Sequence, residues 1–126
     1  MFNYLLLVSA ILLVVIDSIY LQIIKNYFTR QIQIVQGETI VINLLGLVLC
    51  YIFLISGINY FIIAPNRPVS DAFLLGLVIY GVYETTNYSL FKKWSFLTVL
   101  MDTLWGAILF ALTTYLTYRF KNWLHI

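Results

Sequence analysis

The sequence is short of charge: only 10% of its 126 residues are Asp, Glu, Lys or Arg, against about 25% in soluble domains. With 63% of its residues hydrophobic, a chain of this size has too little polar surface to fold in water, and a soluble globular domain is excluded. The net charge of +2 is small and the basic residues are scattered, which argues against nucleic acid as a partner. Cysteine occurs once, at Cys50 in the middle of an apolar run. No intrachain disulfide can form, and without a histidine beside it in the membrane Cys50 reads as a small packing residue rather than a nucleophile. The one histidine, His125, is next to last and has no partner at metal-ligand spacing. Nothing calls for a metal or a cofactor. The N-terminus has neither a basic leader nor a small-residue cleavage site, so the first apolar run is expected to be retained. The two prolines fall together, in Pro65-Asn66-Arg67-Pro68.

What the sequence does contain is long apolar runs. The first covers about residues 4–24 and ends at Lys25, Asn26 and Arg30; a polar stretch from Thr29 to Glu38 reads as the longest loop, or as a short amphipathic surface segment around Gln31, Gln33 and Gln36. The second, about 39–64, stops at the two prolines, which cannot continue a helix. Ser70 suits an N-cap for the third, about 70–91, with Asp71 at the positive end of its dipole. Lys92-Lys93 then joins it tightly to the fourth, about 95–118, as an antiparallel hairpin. Each run is long enough to span as a helix and lacks strand alternation. The expected fold is all-α: one membrane domain, a polytopic bundle of four transmembrane helices with the lipid bilayer as its solvent. Basic residues are balanced between the first-loop side (Lys25, Arg30, Lys92, Lys93) and the side bearing the termini (Arg67, Arg119, Lys121), so the positive-inside rule leaves orientation open. Tyr27, Tyr115, Tyr118 and Trp123 are expected as interfacial rings. The sequon Asn87-Tyr88-Ser89 falls at a span end and is expected to be unused.

Three acids fall inside these runs: Asp17, Glu84 and Asp102. Each costs roughly 2.5–3.5 kcal/mol at mid-bilayer on insertion scales. Counting residues to the first-loop side places all three roughly 10–12 Å below that surface. Chain connectivity does not demand this coincidence, and it points to one shared site. Stripes at helical spacing pass through it: Ser9, Leu13, Asp17 and Tyr20 in the first span; Asn43, Gly46, Cys50, Phe53, Gly57 and Tyr60 in the second; Tyr80, Tyr83, Glu84 and Asn87 in the third; Thr98, Asp102, Trp105 with Gly106, Leu109 and Thr113 in the fourth. The small residues of the second stripe are expected to let helices approach closely. Asp17-Ser18-Ile19-Tyr20 and Asp102-Thr103-Leu104-Trp105 share the pattern acid, small hydroxyl, aliphatic, aromatic. On oppositely directed helices this sets two acid–aromatic pairs facing each other, although four residues do not establish an inverted repeat. No basic residue lies at that depth. Three neighbouring carboxyls cannot all ionise in a low dielectric, and at least one is expected to hold its proton near neutrality.

The stretch from Leu75-Gly76 through Tyr83-Glu84-Thr85-Thr86-Asn87, followed by Trp94, Leu97-Thr98-Val99 and Asp102-Thr103-Leu104-Trp105-Gly106, resembles domain-of-unknown-function family 2177, small membrane proteins defined by sequence rather than by activity. Asp17-x-x-Tyr20 and the run Tyr51 to Pro65 match its pattern more loosely. Glu84 stands where the family pattern has Asp, and Tyr20 where it has Trp, both keeping the chemical type. The resemblance implies a four-helix membrane fold and an acid site, and implies no activity.

The candidate catalytic residues are therefore Asp17, Glu84 and Asp102, with Tyr20, Tyr80, Tyr83, Asn87, Thr98 and Trp105 as candidate substrate contacts. Three roles are compatible with them, and the first leads because no motif specific to an enzyme appears. One is proton-coupled transport of a small molecule or cation, for which one chain is narrow and a homodimer is expected. A second is a membrane-embedded acid–base enzyme acting on a lipid or isoprenoid, with Glu84 or Asp102 as general acid and Trp105 and Tyr83 facing a carbocation. The third is a purely structural polar network that fixes helix register. A pocket opening sideways to lipid separates the second from the first, which needs a polar route to both surfaces.

Overall fold

A computed structural model describes residues 4–37 and 43–124. Glu38, Thr39 at the expected start of the second span, and His125 lie outside the described residues. Four α-helices account for nearly all of what is described: α1 (Tyr4–Gln36), α2 (Leu44–Ile58), α3 (Val69–Leu90) and α4 (Phe96–Leu124), with one π-helical turn, Asn59–Ile63, continuing α2. Among the described residues α1, α2 with its π turn, and α4 are long and apolar enough to cross a membrane. At 22 residues, α3 is about 33 Å long but more polar, and it lies along α4 for most of its length.

The antiparallel pairing of α3 and α4 is set by glycine. Gly76 meets Gly106 and Phe110, Gly81 meets Thr103, and Tyr80 lies over Gly106, so positions that rise along α3 fall along α4. A Cβ on Gly76 would overlap the Gly106 carbonyl, and one on Gly106 would overlap the Tyr80 ring. Close approach of this kind is how membrane helices associate when lipid is as apolar as the core. Helix α1 packs on the other flank of α4 and α2 packs on α1, while α2 and α3 share little backbone contact. The helices thus form an open arc, α2–α1–α4–α3. Its ends are joined through the 64–68 turn and through Ala72 of α3, which shares the core cluster with Leu54, Ile58, Ile62 and Ile63. Leu13, Ile58, Ile62, Leu109 and Phe110 fill the bundle on the side of the termini.

Four expectations need correction. Helix α1 does not end near residue 24; it runs to Gln36. No Gly or Pro interrupts residues 4–36, and the first glycine, Gly37 at φ 76°, ends the helix with its N–H donating to the Gln33 carbonyl at 2.8 Å. The polar tail of α1 is held by Gln31, whose Nε2 donates to the Lys93 carbonyl at 3.0 Å and whose Oε1 accepts from Ser95 N at 3.3 Å. Second, α3 begins at Val69 with Pro68 as its N-cap, not Ser70, because the fixed φ of proline suits the residue leading into a helix. Asp71 does lie in the first turn, where it accepts from Arg67 Nε at 2.7 Å. Third, the small-residue stripe of α2 is not its packing face: a Cβ on Gly57 would meet nothing within 4 Å, and Gly46 has only its own N-cap, Asn43, nearby. The buried face carries Leu54 and Ile58, with Tyr51 partly buried beside them. Fourth, Tyr118 is more than an interfacial ring. Its hydroxyl donates to the carbonyls of Arg67 at 2.6 Å and Ile62 at 3.2 Å, pinning the proline turn and the end of the π turn to α4.

Candidate functional site

Asp17 sits where three helices meet and is 8% exposed. Its Oδ1 accepts from Trp105 Nε1 at 2.9 Å and its Oδ2 from the Tyr51 hydroxyl at 2.6 Å. One carboxyl therefore ties α1 to both α4 and α2. One turn further along α1, the Tyr20 ring stacks on Trp105, with centroids 4.3 Å apart and planes 5° from parallel. The Tyr20 hydroxyl is buried beside Asp102, just outside hydrogen-bond geometry. The four-residue echo is thus realised crosswise: the aromatic of each copy faces the acid of the other.

Asp102 is 7% exposed and Glu84 fully buried. The two carboxyls approach to hydrogen-bonding range across the α3–α4 seam. Glu84 Oε1 accepts from Trp94 Nε1 at 2.8 Å, whereas its Oε2 is buried with no donor in reach. Two carboxyls at that range are acceptors facing acceptors unless a proton lies between them.

A cleft of about 450 Å³ opens onto this constellation, lined by all four helices. Asp17 and Asp102 are its acidic residues; Tyr20 and Phe28 form its α1 wall, Cys50 and Phe53 its α2 wall, and Tyr80 and Tyr83 its α3 wall. Glu84 stands behind Asp102, out of the cleft. The mouth lies in the gap between α2 and α3, where Phe53 and Tyr83 are exposed. Larger grooves of about 590 and 650 Å³ on the outside of the bundle hold none of the three acids.

Three of the expected substrate contacts do not line the cleft: Trp105, which is engaged with Asp17 and Tyr20, and Asn87 and Thr98. Asn87 lies one turn beyond Tyr83 on α3 and does not line the cleft. Thr98 is fully buried in a clamp: it shares a 2.8 Å hydrogen bond with the Tyr27 hydroxyl and donates to Gln31 Oε1 at 3.1 Å. Tyr51 and Trp94 are site residues that the stripe reading passed over. The available signal for Tyr51 was its spacing from Leu54 and Ile58 on one helical face.

Comparison with curated proteins and with solved structures finds no match. The model of a family described as predicted membrane protein (DUF2177) matches residues 2–119. That span contains all three acids and every residue of the cleft, and the chain is accordingly a multi-pass membrane protein belonging to this family.

Proposed function

We propose that the cleft is a membrane-embedded acid–base site acting on the unsaturated chain of a lipid or isoprenoid that enters sideways from the bilayer. The observation that carries this reading is the position of Asp102. It lines an aromatic cleft bordered by the exposed rings of Phe53 and Tyr83, with a second carboxyl, Glu84, beside it across the α3–α4 seam. The chemistry that suits this arrangement is transfer of the proton held by the pair from Asp102 to one carbon of a double bond. The rings of Tyr20, Tyr80 and Tyr83 line the cleft in which positive charge then develops. The carboxylate left behind takes a proton from the carbon on the other side of the cation, which restores the pair and moves the double bond. Asp17 has both oxygens engaged by Trp105 and Tyr51, so it is assigned to positioning.

Proton-coupled transport is the second reading, supported by a proton-sharing pair with no Lys or Arg lining the cleft. It is placed second because Leu13, Ile58, Leu109 and Phe110 fill the bundle between the acids and the side of the termini. Transport would require that plug to repack, or a second copy to complete a path. The test compares lipid extracts of membranes containing the wild type or Asp102→Asn. Acid–base chemistry predicts double-bond positions present with the wild type and missing with the variant at equal protein level. Identical extracts, with proton flux into liposomes lost on the same substitution, would replace it by transport.

A further inference from the structure

From the same cleft we infer a charge preference: the site is a cage for a positively charged centre on an amphiphile, such as an alkylammonium, and discriminates against carboxylate amphiphiles. The inference deepens the acid–base reading, since a stable cation there mimics the charge that protonation would create. Three observations carry it. The cleft has two acids and no Lys or Arg among its lining residues, so nothing in it can balance an anion. Its walls are aromatic on three helices (Tyr20, Phe28, Phe53, Tyr80, Tyr83), and the negative ring faces of such a cage attract a cation stripped of water. Beside Asp102, Glu84 is fully buried and its Oε2 meets no donor among the described side chains, so no basic residue neutralises the acid pair from the protein side.

Size and access agree with this occupant. About 450 Å³ falls within the range of small-ligand pockets, roughly 300–1,000 Å³. On the acid–base reading the ligand enters from the bilayer, so it carries an apolar chain as well as a charge. Phe53 is 73% and Tyr83 53% exposed; these rings at the rim can be removed without opening a core.

The experiment uses the full chain in lipid nanodiscs and three probes of matched chain length: decyltrimethylammonium, decanol and decanoate. Binding is measured by titration calorimetry. The cage predicts saturable binding of the ammonium, about tenfold or more tighter than decanol, and no saturable binding of decanoate. Tyr83→Ala and Phe53→Ala should weaken the ammonium by several-fold while leaving decanol unchanged, and Asp102→Asn should remove the preference. Equal binding of the three probes, or an ammonium preference that survives all three substitutions, overturns the inference. Should the ammonium bind as stated while lipid extracts do not depend on Asp102, the cage stands and the acid–base reading falls. Should extracts depend on Asp102 without any ammonium preference, the acid–base reading stands and the cage falls.

Discussion

Tyr20 and Trp105 stack face to face, 4.3 Å apart and within 5° of parallel, and each directs its polar edge toward the acid of the other helix. Trp105 donates to Asp17, and Tyr20 lies against Asp102. The stack holds α1 on α4 beside the carboxyls, and its Tyr20 member lines the cleft. Trp105→Phe keeps an aromatic ring and deletes the donor, leaving Asp17 Oδ1 unsatisfied. We expect a loss of about 1–2 kcal/mol in detergent unfolding, above the ~0.6 kcal/mol average for membrane hydrogen bonds because the orphaned acceptor is a carboxyl. An unchanged midpoint would show that the bond contributes no stability.

The Glu84–Asp102 pair should be visible spectroscopically. Infrared spectra of the protein in membranes at neutral pH should contain a carboxylic acid stretch, because two carboxyls at this range need a proton between them. Glu84→Gln and Asp102→Asn should each remove it. A wild-type spectrum showing only carboxylate bands would mean the pair does not share a proton.

Glycine sets the spacing of the α3–α4 hairpin. Gly76→Ala would drive a methyl group into the Gly106 carbonyl, which is backbone and cannot move aside as a side chain could. We expect a destabilisation of about 1–3 kcal/mol, together with displacement of Tyr80 and loss of cleft binding. Gly57→Ala is the control: its Cβ meets nothing within 4 Å, and stability should hold or rise slightly.

The clamp formed by Gln31, Thr98 and Tyr27 should be structural. Tyr27→Phe removes the 2.8 Å bond to Thr98 yet leaves the cleft intact. Backbone hydrogen exchange should accelerate over the tail of α1, residues 25–36, while the lipid products of the wild type persist. Loss of those products would give the clamp a part in the chemistry.

Much of the fold and the site is legible from residues alone, and the exceptions share a cause. Asp17, Glu84 and Asp102 stand out by their rarity, and their common depth follows from counting along the helices. The echo of Asp17–Tyr20 in Asp102–Trp105 foretells acid–aromatic pairs facing each other. What fails are readings in which polarity or residue size stands in for position. The glutamines of 31–36 look like a loop, but a helix leaving the membrane becomes polar without ending, and Gly37 is the true stop. The small residues of α2 look like a packing seam, yet in lipid an apolar helix gains nothing by turning a particular hydrophobic face inward, so hydropathy does not separate Phe53 at the rim from Leu54 in the core. Tyr51 and Trp94 escape a helix-by-helix reading because the acids they bind, Asp17 and Glu84, lie on other elements.

The central claim is that the Asp102 cleft takes an amphiphile from the bilayer. Native mass spectrometry of the protein released gently from membranes tests it most directly, with wild type, Asp102→Asn and the distant Gly57→Ala measured side by side. The account predicts a retained lipid-like mass on the wild type and on Gly57→Ala, and its loss from Asp102→Asn at unchanged thermal stability. A wild type that emerges empty, or an amphiphile held equally by all three, would contradict it.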